Sequence, residues 1–259
     1  MELKLYQVDA FSSEVFKGNP AAICPLESWL PDETMQNIAS ENNLSETAFY
    51  VPSESGFHIR WFTPTSEVDL CGHATLACAH VIFHVLDYKK TEIKFESKSG
   101  PLFVKKNEHG LQLNFPNQKP VPCDTPAAIT RAFSEAPIQC LKSEDYILVF
   151  EHEESVKTLQ PDFSELSKLD LRGVVITARS EEYDFISRCF APKYGINEDP
   201  VTGSTFTELT PYWAEVLNKN SLHAKQVSER SGEVFCELEK DRVLISGKSI
   251  LYMVASIYI

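Results

Sequence analysis

Positive charge is scarce in this 259-residue chain: 24 Lys and Arg stand against 37 Asp and Glu, for a formal net charge of −13. No basic run interrupts that balance. Binding along a phosphate backbone draws its affinity from Lys and Arg clustered on one face, so no nucleic-acid partner is expected. Long apolar runs are missing too. The most apolar stretch, Leu76 to Leu86, contains His80 and His84 and falls well short of the roughly 20 apolar residues that a bilayer span needs. It predicts a buried helix and no membrane partner. The opening MELKLYQVDAF alternates polar and apolar side chains and lacks the uninterrupted apolar core of a secretory signal, so the chain is expected to stay in the cytoplasm. Seven cysteines (Cys24, Cys71, Cys78, Cys123, Cys140, Cys189, Cys236) are odd in number, scattered and never spaced C-x-x-C. That suggests neither a disulfide framework nor a Cys-type zinc site, and a reducing compartment is the simplest setting. Gly-x-Gly-x-x-Gly, Walker and Gly-x-Ser-x-Gly patterns are likewise absent, which argues against a nucleotide cofactor and a serine-hydrolase elbow. His80 and His84 are spaced as two metal ligands would be, but no Glu follows His80 and no third ligand is in view. They read as core histidines, and no metal is expected.

What is present is a globular composition, 43% apolar and 24% charged, in a chain long enough for one large or two compact domains. It carries an internal repeat. Arg60-Trp61-Phe62-Thr63-Pro64 returns as Arg188-Cys189-Phe190-Ala191-Pro192. Each copy runs into a small-residue step, Cys71-Gly72-His73-Ala74-Thr75 in the first and Thr202-Gly203-Ser204-Thr205 in the second. Each step opens an apolar helix: Leu76 to Leu86, and Tyr212 to Leu217 with Pro211 in its first turn, or a start as early as Ser204. Pro31-Asp32 and Pro161-Asp162 repeat at nearly the same offset, each beginning a helical segment that leads into an alternating strand, Thr47 to Val51 and Val174 to Thr177.

Period-two alternation predicts further strands at Lys4 to Asp9, His58 to Phe62, Ile93 to Glu96, Leu102 to Lys105, Leu111 to Phe115, Ile147 to Phe150, Phe185 to Phe190, Glu233 to Leu238 and Val243 to Ser246. Many strands with about one long buried helix per half predict an α+β fold of two pseudo-symmetric halves, each a rolled, mostly antiparallel sheet around a central helix. The Pro-rich stretch Asn114 to Pro126 marks the boundary, giving an N-terminal half 1–118, a C-terminal half 119–259 and an active site in the cleft between them.

A helix start presents unpaired N–H groups and a partial positive charge, so Gly72-His73 and Gly203-Ser204 are candidate binding steps for a small anion. The titratable candidates beside them are Glu46, between a predicted helix and a strand, Asp199 in Glu198-Asp199-Pro200, and His73 itself.

Taken together, Gly18-Asn19-Pro20-Ala21-Ala22, Leu44-Ser45-Glu46-Thr47-Ala48-Phe49, Arg60 to Pro64, Glu67 to Thr75 and Glu198 to Ser204 resemble the PhzF family of phenazine-biosynthesis-like proteins. The resemblance implies the diaminopimelate epimerase-like fold, a role in biosynthesis and homodimerisation. It also implies a proton-shifting isomerisation without metal or organic cofactor, carried out in the family's best-understood member on trans-2,3-dihydro-3-hydroxyanthranilate. Matched residue by residue, Glu46 corresponds to the general acid/base, His73 and Asp199 to residues that assist and orient the substrate, and Gly72, Gly203 and Ser204 to the carboxylate-binding steps. A small residue and then His often follow the second step in the family, whereas this chain has Thr205-Phe206-Thr207-Glu208, which leaves the substrate open. The expected function is therefore an isomerase of a small, cyclic carboxylic or amino acid. The alternatives are an epimerase or racemase of a small carboxylic acid and a non-catalytic member that binds a small acid or a protein. Related epimerases use two cysteines, one per half. Cys71 adjoins Gly72, but Cys189 lies 14 residues before Gly203, which disfavours a two-thiol racemase and leaves Cys71 as an inert buried thiol.

Overall fold

In the computed structural model, which describes residues 1–259, the alternating segments pair as strands and the chain forms two compact units. One comprises Met1–Asn114 with Ser246–Ile259, the other Phe115–Ile245.

The first unit is built on β1 (Glu2–Ala10), β2 (Asn19–Pro25), β3 (Glu46–Pro52), β4 (Phe57–Phe62), β5 (Glu67–Val68), β6 (Glu92–Ser97), β7 (Gly100–Asn107) and β8 (Gly110–Pro116), whose last residues pass into the second unit. β1 runs antiparallel to β2, β2 parallel to β3, β3 antiparallel to β4, β4 parallel to β6, and β6 antiparallel to β7. Between β2 and β3 lies α1, Asp32–Asn42, which buries Met35, Ile38 and Ala39 at the i, i+3, i+4 spacing of one helix face. It ends where Asn43 takes a left-handed conformation, φ 49°.

The central helix α2 spans Gly72–His80, with every residue from His73 to Ala79 buried. Small side chains (Ala74, Ala77, Cys78, Ala79) let it lie close to β1, β2 and β3. It starts four residues before the predicted Leu76, and Val81–Val85 continues it as a wider π turn. His80 is half-buried with Nδ1 2.8 Å from Ser249 Oγ, and burial pushes its pKa down to about 4. His84 is exposed, so only His80 fits the reading as a core histidine.

The second unit repeats the first. Its strands are β9 (Val121–Pro122), β10 (Gln139–Lys142), β11 (Tyr146–Val149), β12 (Val174–Arg179), β13 (Phe185–Ala191), β14 (Ile196–Asp199), β15 (Ser221–Gln226), β16 (Gly232–Glu239) and β17 (Arg242–Gly247), whose last two residues belong to the first unit. From β10 the pairing again alternates antiparallel, parallel, antiparallel, parallel, antiparallel through β11, β12, β13, β15 and β16. Short helices α3 (Ala127–Ala132), α4 (Glu153–Thr158) and α5 (Phe163–Leu166) pack Ile129, Val156 and Leu166 into its core. Asp162 caps α5 by accepting the Ser164 N–H at 2.8 Å, so the repeated Pro-Asp pair does open a helix here, though a short one.

α6, Phe206–Leu217, is the second unit's long buried helix, entered through a 3₁₀ turn at Gly203–Thr205. Pro211 lies in its interior, not in a first turn. Proline lacks the N–H that would bond the carbonyl four residues back, and that carbonyl, Thr207 O, instead accepts the Gln118 N–H at 3.1 Å.

The unit boundary falls after Asn114 rather than after residue 118, and the final strand Ser249–Tyr258 returns to the first unit. It pairs antiparallel along the whole of β1, from Glu2↔Tyr258 to Ala10↔Ser249. Its run SILYMVASIY has no clean alternation, and its partner sits at the other end of the chain, so local pattern shows neither. No helix is long and apolar enough to cross a membrane.

Candidate active site

In the first unit, strand β3 and helix α2 bring two predicted residues together. Glu46 is the first residue of β3, where it lies in register with Ala21 of β2, and His73 is the second residue of α2. Glu46 Oε2 approaches His73 Nε2 at 3.1 Å, with side chains 13% and 7% exposed. Neither atom makes a well-aligned hydrogen bond within the protein, a state common in catalytic groups before substrate arrives.

The other ring nitrogen, Nδ1, faces Cys71 Sγ at 3.6 Å and Asn19 Nδ2 at 3.4 Å. Burial, followed by the Glu46 charge, pushes the Cys71 thiol up. Burial alone would pull His73 down, but Cys71 and the Glu46 carboxylate outweigh it and hold the imidazole well above its ordinary range. The cluster thus sets an imidazole, a carboxyl group and a thiol within 4.8 Å of one another.

Helix α2 adds a binding element. Its N-cap, Cys71, is extended (φ −147°), no side chain caps the helix, and no acid occupies the first turn. Its first-turn N–H groups therefore lack intrahelical partners beside His73, the arrangement that attracts a carboxylate or phosphate. Glu46, Cys71 and His73 also offer one oxygen, one sulfur and one nitrogen within 4.8 Å of one another. Metal binding at that set would have to deprotonate a thiol that burial holds protonated.

The second unit holds Asp199, Gly203 and Ser204. Asp199 is buried at the end of β14, and its Oδ2 accepts the Thr202 hydroxyl. Gln226, fully buried at the end of β15, fixes this turn twice: Nε2 donates to Asp199 O at 2.7 Å, and Oε1 accepts the Thr202 N–H at 2.9 Å. Gly203 and Ser204 then start the 3₁₀ turn into α6, with no side-chain cap. Cys189, remote in sequence, lies opposite Asp199 in the β13–β14 register, so 14 residues of chain did not measure its distance. Burial pushes its thiol well above the usual range, which still argues against its serving as a racemase base.

Two positioning residues escaped sequence reasoning. Asn19 was visible only as part of Gly18-Asn19-Pro20, and Gln226 carried no signal, because a lone Gln in a strand looks like any surface residue.

A family model for phenazine biosynthesis-like proteins, PhzC-PhzF, matches residues 8–255. The chain belongs to the PhzC-PhzF family. Relatives include an uncharacterized isomerase of Pseudomonas aeruginosa, 49% identical with all of both chains covered, and one of Halalkalibacterium halodurans, 45% identical with 96% of each covered. The crystal structure of a PhzF-family protein from Enterococcus faecalis superposes with a TM-score of 0.97 at 46% identity over the full length of both chains. PhzC-PhzF proteins share their fold with more distant enzymes: a hydroxyproline epimerase from Agrobacterium vitis aligns with a TM-score of 0.62 at 9% identity, over 99% of this chain and 92% of that one.

Proposed function

We propose that this PhzC-PhzF chain is a cofactor-independent isomerase that shifts a proton on a small, cyclic carboxylic or amino acid, with Glu46 as general acid/base. The observation that carries the reading is the 3.1 Å approach of Glu46 to His73 at the uncapped start of α2. Glu46 removes a proton from a carbon made acidic by a neighbouring π system, leaving a delocalised anion, and its carboxyl group, which exchanges its proton with solvent, delivers a proton to another carbon of that anion. No atom is gained or lost. His73, whose Nε2 faces the Glu46 carboxyl at 3.1 Å, positions it for the transfer. The α2 start, through Gly72 and His73, receives the substrate carboxylate, and its dipole favours the transient negative charge. Asp199, Gly203 and Ser204 take the assisting and carboxylate-binding roles that the family resemblance implies. The protein is proposed to act in the cytoplasm as a homodimer.

Proton NMR in D2O tests this, with trans-2,3-dihydro-3-hydroxyanthranilate and a set of cyclic and acyclic amino acids offered to wild type and Glu46→Gln. Deuterium entering a product only with wild type supports the reading. Exchange at one stereocentre without bond migration would make the protein an epimerase, and exchange unaffected by Glu46→Gln would remove Glu46 from the reaction.

A further inference from the structure

Cys123 is the one cysteine in the chain that is not buried; the other six are. It follows β9 directly. Strands β9 and β10 pair antiparallel with Pro122 opposite Leu141 and Val121 opposite Lys142, so the next step of that register sets Cys123 opposite Cys140. The Cys123 N–H donates to Cys140 O at 3.0 Å, and the two Sγ atoms lie 3.6 Å apart.

Opposed residues in a hydrogen-bonded antiparallel pair have Cα atoms about 5.5 Å apart, inside the window of about 4.4 to 6.8 Å that a disulfide spans. The pair therefore meets the spacing that a disulfide requires. We propose that Cys123 and Cys140 form an oxidisable dithiol, a disulfide site outside the Glu46–His73 cluster and independent of its chemistry.

The division of labour follows from exposure. Cys123 is reachable from solvent, whereas Cys140 is buried and packed in the core of the second unit. The Cys123 thiolate attacks one oxygen of hydrogen peroxide and breaks the O–O bond, giving a Cys123 sulfenic acid and hydroxide. Cys140 sulfur then attacks Cys123 sulfur and expels a second hydroxide. The two protons lost by the thiols convert both hydroxides to water, so two thiols and one peroxide become one disulfide and two waters. The bond closes a ring through Pro126, α3 and Pro137, tethering that segment to β10. It stabilises the fold chiefly by restricting the unfolded chain.

The test treats the full chain with one equivalent of hydrogen peroxide under native conditions, traps free thiols by alkylation and maps non-reduced peptides by mass spectrometry. Expected are one intramolecular peptide pair linking Cys123 to Cys140 and the loss of two of the seven thiols. The melting temperature should rise by about 5 °C and return to its starting value with dithiothreitol. Cys123→Ser and Cys140→Ala should each abolish the linked peptide and the rise. Retention of all seven thiols, oxidation of Cys123 that stops at sulfinic acid, or a link formed only between two chains would overturn the proposal. Each of these outcomes reads on wild type alone, so a variant that fails to fold does not shield it. Proton exchange at the Glu46 site is a separate readout and is expected to be the same in both redox states.

Discussion

Arg60 grips Glu67 through two parallel hydrogen bonds, 2.7 Å from Nε to Oε1 and 2.9 Å from Nη2 to Oε2. Arg188 and Glu198 repeat both distances. In each copy the guanidinium also lies over the phenylalanine two residues on, 5.1 Å from the Phe62 ring and 5.0 Å from the Phe190 ring. The remaining nitrogen reaches a helix: Arg60 Nη1 bonds Asp32 at the start of α1, and Arg188 Nη1 bonds Val156 O and Leu159 O at the end of α4. The repeated Arg-x-Phe therefore ties a strand, the segment before the small-residue step and the neighbouring helix into one unit. Its role is structural, and it holds the chain that leads to the site.

Truncating that grip should cost unequally. The Arg188 side chain is 6% exposed and that of Arg60 is 18% exposed. Removing a buried partner strands its mate, at about 3 to 5 kcal/mol. Arg188→Met should therefore destabilise by about 3 kcal/mol or more and Arg60→Met by less, because Asp32 is already 78% exposed and Lys98 still pairs with Glu67. Urea midpoints of the two variants measure this, and equal losses would contradict the burial argument.

Glu46→Gln should lower proton exchange by about 100-fold or more while leaving the urea midpoint within about 1 kcal/mol of wild type. His73→Asn should slow exchange less and change its pH profile, because the imidazole that faces Glu46 at 3.1 Å is then gone. A matched loss of stability in Glu46→Gln would reassign the residue to folding.

Glu208 supplies a pH signature. Its carboxyl is fully buried in the first turn of α6, where Oε1 accepts the N–H groups of Glu144 at 2.7 Å and Asp145 at 3.2 Å. Burial, reinforced by the charge of Asp145, pushes its pKa up to about 8, although Arg172 pulls the other way. Between the ordinary carboxylate range and about pH 8 the folded chain keeps a proton that the unfolded chain has released, so this group's contribution falls as pH rises through that window and is level above it. Each pH unit inside it is worth up to about 1.4 kcal/mol. Glu208→Gln should flatten the slope and be more stable than wild type at pH 8. Parallel stability curves for the two proteins would show that Glu208 ionises normally.

Gly18 adopts φ +66°, and a Cβ there would sit 2.1 Å from the carbonyl oxygen of Ala10. Gly18→Ala must therefore move backbone directly before Asn19. Expected are a loss of about 2 kcal/mol or more and slower proton exchange, because Asn19 flanks His73. Full stability with unchanged exchange would mean that the turn relaxes freely.

Part of the candidate site was legible in one dimension. Glu46, His73 and Asp199 stand at or next to element ends, which local pattern shows, but the selection of Glu46 as acid/base rested on the resemblance to the PhzF family. The repeat was legible because nearly equal offsets, 128 from Arg60 to Arg188 and 130 from Pro31 to Pro161, reflect two copies of one pairing order. The unequal helices were less so, since Pro211 reads as a helix start until Gln118 is seen to take up the carbonyl it leaves free.

By itself the sequence determined the α+β class and the duplicated halves, because hydrophobic period and turn chemistry are local properties that each segment carries wherever it goes. Tertiary structure alone decided that Ser249–Tyr258 closes on β1, that Cys189 lies beside Asp199, that Cys123 meets Cys140, and that His73 stands between Glu46 on one side and Asn19 and Cys71 on the other. A strand's alternation records which face is buried but not which partner takes its hydrogen bonds, and separation along the chain sets no distance once the strands have paired.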